Sequence, residues 1–355
     1  YSDIDEIIDL LAQLRSRSQV KHLTDESARL LSQLMESLVE KIADYPDQRV
    51  LLDRVCHIIR ALVGRKVYIS LLVEYPAVQL QMLTLCSASE WFTERLVKYP
   101  ILLDSLLSTA EMFRQQYDVR QLLSLELERI EDGGGNADAG LEQQMDRMRQ
   151  FKRQMVFAVA MLDVFYEEPV EKVSDHLTEL ANVLLEKILE YSWRAMTEKY
   201  GQPSCVIDGE VFYPAMSIVA YGKMGGKELG YGADLDLVFL HDSQGEQQMT
   251  DGEKTLDNAS FFARLAQRII HLLSLQTANG RLYEIDMRLR PDGNAGMLVS
   301  SVQAYEKYQR EKAWTWEHQA LIRARIVCSS THLQAEFDRI RRLILMSDRD
   351  MHVLA

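Results

Sequence analysis

The sequence predicts a mostly helical protein with a small mixed sheet, flanked by helices, embedded in its second half. Three observations carry this. Apolar residues recur at helical spacing over residues 23–121 and again over 141–199. Two short apolar runs, 216–220 and 235–240, bracket a stretch holding Gly222, Gly225, Gly226, Gly230 and Gly232, as strands bracket a turn. RLYEIDMRLRP at 281–291 alternates apolar and charged residues with the period of a strand.

In chain order, Leu31, Leu34, Leu38 and Ile42 mark a first helix behind Thr24-Asp25-Glu26, and Leu51, Val55, Ile58, Ile59 and Leu62 mark a second. Residues 67–73 suit a strand as well as a buried helix, and their helical neighbours favour the helix. Tyr45-Pro46, Tyr75-Pro76 and Tyr99-Pro100 punctuate the region, because proline disfavours helix at the residue before it. Their spacing is uneven, so no solenoid repeat is expected.

Gly133, Gly134 and Gly135, extended by Gly140, predict a flexible loop over 133–140, since consecutive glycines suit neither helix nor strand. A helix resumes from about Leu141. Another, with Ser174-Asp175 as its expected cap, runs to about Lys199 with Leu177, Leu180, Leu184, Ile188 and Tyr191 on one face. After the glycine-rich stretch, an amphipathic helix is expected from Thr255 to about Gln276, then the alternating strand, then helix from about Ser301. The expected organisation is a helical domain over 1–132, the loop over 133–140, an α/β domain with flanking helices over 141–330, and the start of a further helical region over 331–355.

The 355-residue chain carries a net charge of −13, which weighs against nucleic acid as a partner, because that affinity comes largely from Lys and Arg on phosphates. It starts at Tyr1, shows no signal-peptide pattern and has no apolar run of membrane-spanning length, so a soluble cytoplasmic protein without a membrane partner, cut from a longer chain, is expected. Cys56, Cys86, Cys205 and Cys328 form no CxxC pair and are expected as buried thiols. The fifteen methionines read as core filling.

The chemistry concentrates at residues 216–242. Asp234 and Asp236, two apart on a strand, share a face, and Leu235, Leu237 and Phe239 take the other. A P-loop is excluded because Gly226-Lys227 is followed by Glu228 and position 221 is Tyr; a dinucleotide fingerprint is excluded because Leu235 stands where its third glycine should be. What remains is the pair Gly225-Gly226, able to bring backbone amides close to phosphate, ahead of an Asp-x-Asp strand. Asp234, Asp236 and Asp286 are expected to be the catalytic carboxylates, holding Mg²⁺ through oxygen beside a substrate's phosphates. Arg288 and Arg290, on the expected Asp286 face, are placed to grip phosphate, with a plain salt bridge to Asp286 as the simpler alternative. Lys223 and Lys227 contact phosphate or solvate the turn. Trp314, Trp316 and His318 are expected to pack in the core, since aromatics at helical spacing usually do.

A glycine pair followed by Asp-x-Asp resembles the nucleotidyltransferase superfamily of DNA polymerase β type. Longer strings are more specific. AYGKMGGKELGYGADLDLVFLHD, DMRLRPDGNAGMLVSS and AWTWEHQALIRAR closely resemble the family of bifunctional glutamine synthetase adenylyltransferase/adenylyl-removing enzymes, and LLVEYPAVQLQML and ERLVKYPILLDSLL resemble the helical segment before their catalytic domains. Met224 and Met287 stand where Leu and Thr are usual in that family.

The resemblance implies that 141–330 is a polymerase β-like nucleotidyltransferase domain. ELGYGADLDLVFLHD resembles the adenylylating rather than the removing half, and the helical region after residue 331 would continue beyond Ala355. It further implies ATP with Mg²⁺, a tyrosine hydroxyl of glutamine synthetase as acceptor, release of pyrophosphate, and a PII-type nitrogen-signalling protein as regulator. On this implication Asp234 and Asp236 hold metal, Asp286 completes a second metal site or helps deprotonate the tyrosine, and Gly225, Gly226, Lys223, Arg288 and Arg290 contact the nucleotide. The rival readings are the removing half, an RNA-modifying nucleotidyltransferase and a non-catalytic regulatory scaffold.

Overall fold

A computed structural model describes residues 23–107, 118–131, 137–328 and 330–347. The described residues divide into two compact units, one holding those up to Leu107 together with Phe157–Glu168, the other those from Asp118 to Val156 and from Pro169 onward.

The first unit is helical: α1 (Asp25–Ile42), α2 (Gln48–Leu62), α3 (Lys66–Glu74), α4 (Pro76–Ala88) and α5 (Glu90–Lys98), followed by a 3₁₀ turn at Pro100–Leu103. The Thr24 hydroxyl accepts from the Ser27 amide and caps α1, which buries Leu31, Leu34, Leu38 and Ile42. The ambiguous 67–73 run is helical, in α3. Each of the three Tyr-Pro pairs in this unit lies at a helix junction. Pro76 opens α4 at its first position, where a missing N–H costs nothing.

In the second unit, α6 (Val119–Glu131) precedes α7 (Ala137–Tyr166), whose last turns count with the first unit, and α8 (Val170–Tyr200). Two boundaries differ from the sequence expectation. Residues 137–140 of the expected loop form the first turn of α7, because one glycine costs a long helix only about 1 kcal/mol; residues 132–136 lie outside the described residues. Helix α8 starts at Val170 behind Pro169, not at Ser174-Asp175, since a proline supplies a preset φ where no donor is needed. It ends at Gly201, φ +82°, and buries the predicted face.

Two sheets follow. Strands β1 (Pro203–Ile207), β2 (Glu210–Phe212) and, later, β5 (Glu246–Thr250) form an antiparallel sheet in the order β2-β1-β5. The main sheet contains β3 (Met216–Ala220) and β4 (Leu235–His241), joined through the single helical turn α9 (Gly222–Gly225). After α10 (Asn258–Ser274) come β6 (Ile285–Asp286) and β7 (Val299–Ser301), both parallel to β4, and after α11 (Val302–Glu311) and α12 (Thr315–Leu321) comes β8 (Arg325–Cys328), antiparallel to β3. The order β6-β4-β3-β8, with β7 also on β4, makes the sheet mixed. Helix α13 (Thr331–Leu345) follows and supplies Leu333, Phe337, Ile340 and Ile344 to a core shared with Val219, Val238, Leu240 and Leu321.

The expected strand over 281–290 shrinks to two residues. Asp286 turns its carboxylate back onto the Arg288 amide at 2.8 Å, and the Arg290 amide donates to the Met287 carbonyl at 3.2 Å. This local turn chemistry outcompetes the ladder that alternation suggests. All four cysteines are free and buried, as expected, but Met297 and Met346 are exposed rather than core filling. Among the described residues no single helix is long and apolar enough to cross a membrane.

Gly225 holds the sheet and the segment after α12 together. A Cβ there would lie 2.2 Å from the Arg323 carbonyl oxygen and 2.6 Å from that of Ala220, both backbone atoms with no room to yield. At Gly232 a Cβ would meet nothing within 4 Å. Gly225→Ala is therefore expected to cost about 1–3 kcal/mol in urea unfolding, with Gly232→Ala close to wild type; equal midpoints would contradict this packing.

At the far end of β4, His241 stacks on Phe262 with ring centroids 4.7 Å apart, and burial lowers its pKa from 6.5 to about 4. Between those values the unfolded chain binds a proton that the folded chain does not. Its contribution is thus complete above 6.5 and is lost as pH falls toward 4. Going from pH 7 to pH 5, wild type is expected to lose about 1–2 kcal/mol more stability than His241→Phe. Parallel pH profiles for the two proteins would refute this.

Candidate active site

Strand β4 pairs in parallel with β6 so that Leu235 faces Ile285 and Asp236 faces Asp286. Two carboxylates from segments fifty residues apart in sequence are thereby neighbours on one edge of the sheet. Asp234 sits just before β4, exposed to solvent. On the other side of Asp236, the Tyr221 amide donates to its carbonyl at 2.9 Å and starts the turn of α9.

That turn passes against the carboxylate itself. Gly222 has φ +54°, and a Cβ on it would lie 2.1 Å from Asp236 Oδ2. Only glycine permits this approach together with this backbone conformation. The Gly225 amide donates to the Tyr221 carbonyl at 2.8 Å and the Gly226 amide to that of Gly222 at 3.1 Å. The two amides expected to meet phosphate are thus committed to the turn. Helix geometry leaves those of Gly222, Lys223 and Met224 without an intrahelical acceptor.

The electrostatics show which side chains sense one another. Burial raises the pKa of Asp236, and the charges of Asp234 and Asp286 raise it further, while Arg288 and Lys223 oppose them. Asp286 is displaced the other way: the Arg288 side chain holds its carboxyl below the ordinary aspartate value, burial opposes this, and the Arg288 amide and charge add to the lowering. The salt bridge weighed as an alternative for Asp286 is present, with Arg288 Nε 2.7 Å from Oδ2. Arg290 is elsewhere occupied. Its guanidinium donates to the carbonyls of Met287 at 2.9 Å and Asn294 at 3.3 Å, because the strand that would have put it beside Asp286 ends first.

Lys223 and Lys227 are both exposed, and Lys223 acts on Asp236. Trp314 and Trp316 are not core residues: they are 71% and 55% exposed. Helix α12 has only seven residues, and its buried face is Glu317 and Leu321, so the tryptophans fall outside it. His318 joins the Gln309 carbonyl at 2.8 Å.

Several residues that support the site carried little sequence signal. Tyr221 and Tyr305 share a hydrogen bond of 2.5 Å in the core directly behind the glycine turn. Buried Glu317 accepts from the Tyr308 hydroxyl at 2.9 Å and the Trp314 amide at 2.7 Å. Arg323 pairs with Glu228 at 3.1 Å across the turn. The Tyr221–Tyr305 and Arg323–Glu228 pairs join residues distant in sequence. The glycine at 222 was visible, but its need for close approach shows only once Asp236 is opposite.

Carboxylate oxygens are the donors a hard divalent cation prefers, and a dication would relieve the repulsion that Asp236 feels from its neighbours. The donor set therefore fits Mg²⁺ in kind. Among the described residues, however, no three His, Cys, Asp or Glu side chains converge as they stand, and Asp286 is turned to Arg288. A cavity of about 860 Å³ lies at the opposite end of β4, lined among others by His241, Ser300, Ser301 and Lys307. None of the three candidate carboxylates borders it.

The chain's residues 79–340 match the family model for glutamate-ammonia ligase adenylyltransferase. It is 46% identical over 354 residues to the bifunctional glutamine synthetase adenylyltransferase/adenylyl-removing enzyme of Thioalkalivibrio sulfidiphilus, covering all of this chain and 36% of that protein. It is 41% identical to the proteins of the same name from Pseudomonas putida, over 98% of the chain and 35% of the relative, and Pseudomonas aeruginosa, over 100% and 35%. The chain thus spans about a third of the length of these curated relatives. With the family model matched over most of its length and the relatives aligned essentially end to end, the chain belongs to the glutamate-ammonia ligase adenylyltransferase family.

Proposed function

We propose that this chain is the adenylylating part of such an enzyme: a polymerase β-like nucleotidyltransferase core that transfers AMP from ATP to a tyrosine hydroxyl of glutamine synthetase. The tyrosine oxygen attacks the α-phosphorus, the bond to the bridging oxygen breaks, and pyrophosphate leaves as the hydroxyl proton passes to a base. The observation that carries this reading is the pairing of Asp236 with Asp286 directly across from the Gly222 turn. Two carboxylates beside turn amides that have no intrahelical acceptor suit a triphosphate with its counter-ion.

Asp234, Asp236 and Asp286 would hold Mg²⁺, which supplies charge stabilisation to the phosphate oxygens. The turn amides and Lys223 would orient the phosphates. In the free site Arg288 keeps Asp286 acidic, and a cation bound there would do the same, so the reading favours it as a ligand rather than as the base. The motif ELGYGADLDLVFLHD supports the adenylylating direction over the removing one. A PII-type regulator belongs to the same proposal, through the family resemblance alone.

Incubation with unmodified glutamine synthetase, Mg²⁺ and ATP is expected to yield pyrophosphate and adenylylated subunits. Incubation of AMP-modified glutamine synthetase with phosphate is expected to yield no ADP; ADP there would establish the removing half instead. Asp236→Asn should slow AMP transfer by on the order of 10² or more, since cation stabilisation is worth several kcal/mol and about 1.4 kcal/mol is tenfold. A folded Asp236→Asn protein with near-wild-type transfer would sink the assignment.

A further inference from the structure

Both oxygens of Asp286 are taken by one residue two positions on. The Arg288 amide donates to Oδ1 at 2.8 Å, Nε donates to Oδ2 at 2.7 Å, and Nη2 makes a further contact with Oδ2. The two bonds differ in kind. The amide bond belongs to the backbone turn and is retained as long as the turn is; the guanidinium bonds belong to a side chain that is 75% exposed. Among the described residues, Asp286 is the one group that this guanidinium hydrogen-bonds.

Arg290 provides the contrast. It has the same side chain and lies in the same loop, but it is anchored to the carbonyls of Met287 and Asn294 and braces the turn. Arg288 braces nothing. It occupies Oδ2 of a carboxylate whose residue pairs with Asp236 across the ladder, and among the described residues the acidic side chains do not converge as a ligand set.

We propose that Arg288 is an exchangeable cap on Asp286: it holds Oδ2 when the site is free, and transfers its guanidinium to a nucleotide's phosphate, leaving Oδ2 to a divalent cation. This rests on the adenylyl-transfer reading above and adds a coupling to it. A guanidinium binds phosphate oxygens in the same forked manner as carboxylate oxygens, so the nucleotide offers an equivalent partner. The amide bond to Oδ1 keeps the carboxylate oriented during the exchange. Cation and Arg288 compete for one oxygen, whereas nucleotide and cation assist each other, and that assistance is reciprocal. Each ligand alone therefore binds, but more weakly than in the presence of the other.

The test is direct binding, with no turnover. Mn²⁺ affinity is measured by electron paramagnetic resonance without nucleotide, and affinity for a non-hydrolysable ATP analogue is measured in chelator. Wild type, Arg288→Gln, Asp286→Asn and the double variant are compared. Because exposed ion pairs are weak, Arg288→Gln is expected to tighten Mn²⁺ about two- to fivefold and to weaken the metal-free analogue. In the Asp286→Asn background the Mn²⁺ gain should vanish. If Arg288→Gln leaves Mn²⁺ affinity unchanged, or gives the same gain without the Asp286 carboxylate, Arg288 acts only as a nearby charge and the exchange is wrong. If wild type binds neither Mn²⁺ nor the analogue, the adenylyl-transfer reading itself fails.

Discussion

The candidate site depends on the register between β4 and β6. Because Asp236 faces Asp286 across a parallel ladder, the two carboxylates are held by backbone hydrogen bonds rather than by mobile side-chain contacts. A slip of one residue would place Ile285 there and turn Asp286 to the opposite face. The Leu235 amide, which donates to the Glu284 carbonyl at 2.9 Å, continues the same ladder, and the buried Leu235 and Leu237 fix which face β4 shows to the core. The acidic face follows from the apolar one.

Placing like charges together has a cost that the surroundings offset unevenly. Asp236, half-buried between two other carboxylates, is the residue that feels it, and Asp286 escapes it through Arg288. The glycine turn leaves no room for Asp236 to move away, since Gly222 closes on its oxygen. Behind the turn, the buried Tyr221–Tyr305 hydrogen bond and the contact of Gly225 with the Arg323 backbone fix the turn to the elements packed on the sheet. The result is a preorganised concentration of negative charge, which is what binds a cation and its phosphates well once both arrive.

Much of this was legible in the chain. The apolar runs of β3 and β4 stand out because both strands are buried, and the long helices because their apolar spacing persists over many turns. What escaped had a physical reason in each case. β2 and β5 are largely exposed, so no apolar pattern marks them, although Asp208-Gly209 between β1 and β2, both at positive φ, was a usable hairpin signal. The alternation over 281–290 was real, but a carboxylate two residues from a free amide made a turn instead of a ladder. Arg290 then left the face on which alternation had placed it, and the exposed Trp314 and Trp316 show that helical spacing says little in a helix of two turns. The closeness of Asp286 to Asp236 is long-range, and spacing alone could suggest the shared chemistry without the pairing.

The central claim, that Asp236 and Asp286 with the Gly222 turn form the site where nucleotide and cation meet, is tested most directly by anomalous diffraction from crystals grown with Mn²⁺ and a non-hydrolysable ATP analogue. The account predicts a Mn²⁺ peak bounded by carboxylate oxygens of Asp234, Asp236 and Asp286, with the phosphates against the amides of Gly222 and Lys223. Mn²⁺ and phosphates bound away from this end of β4, in the cavity beside His241 for example, would contradict it.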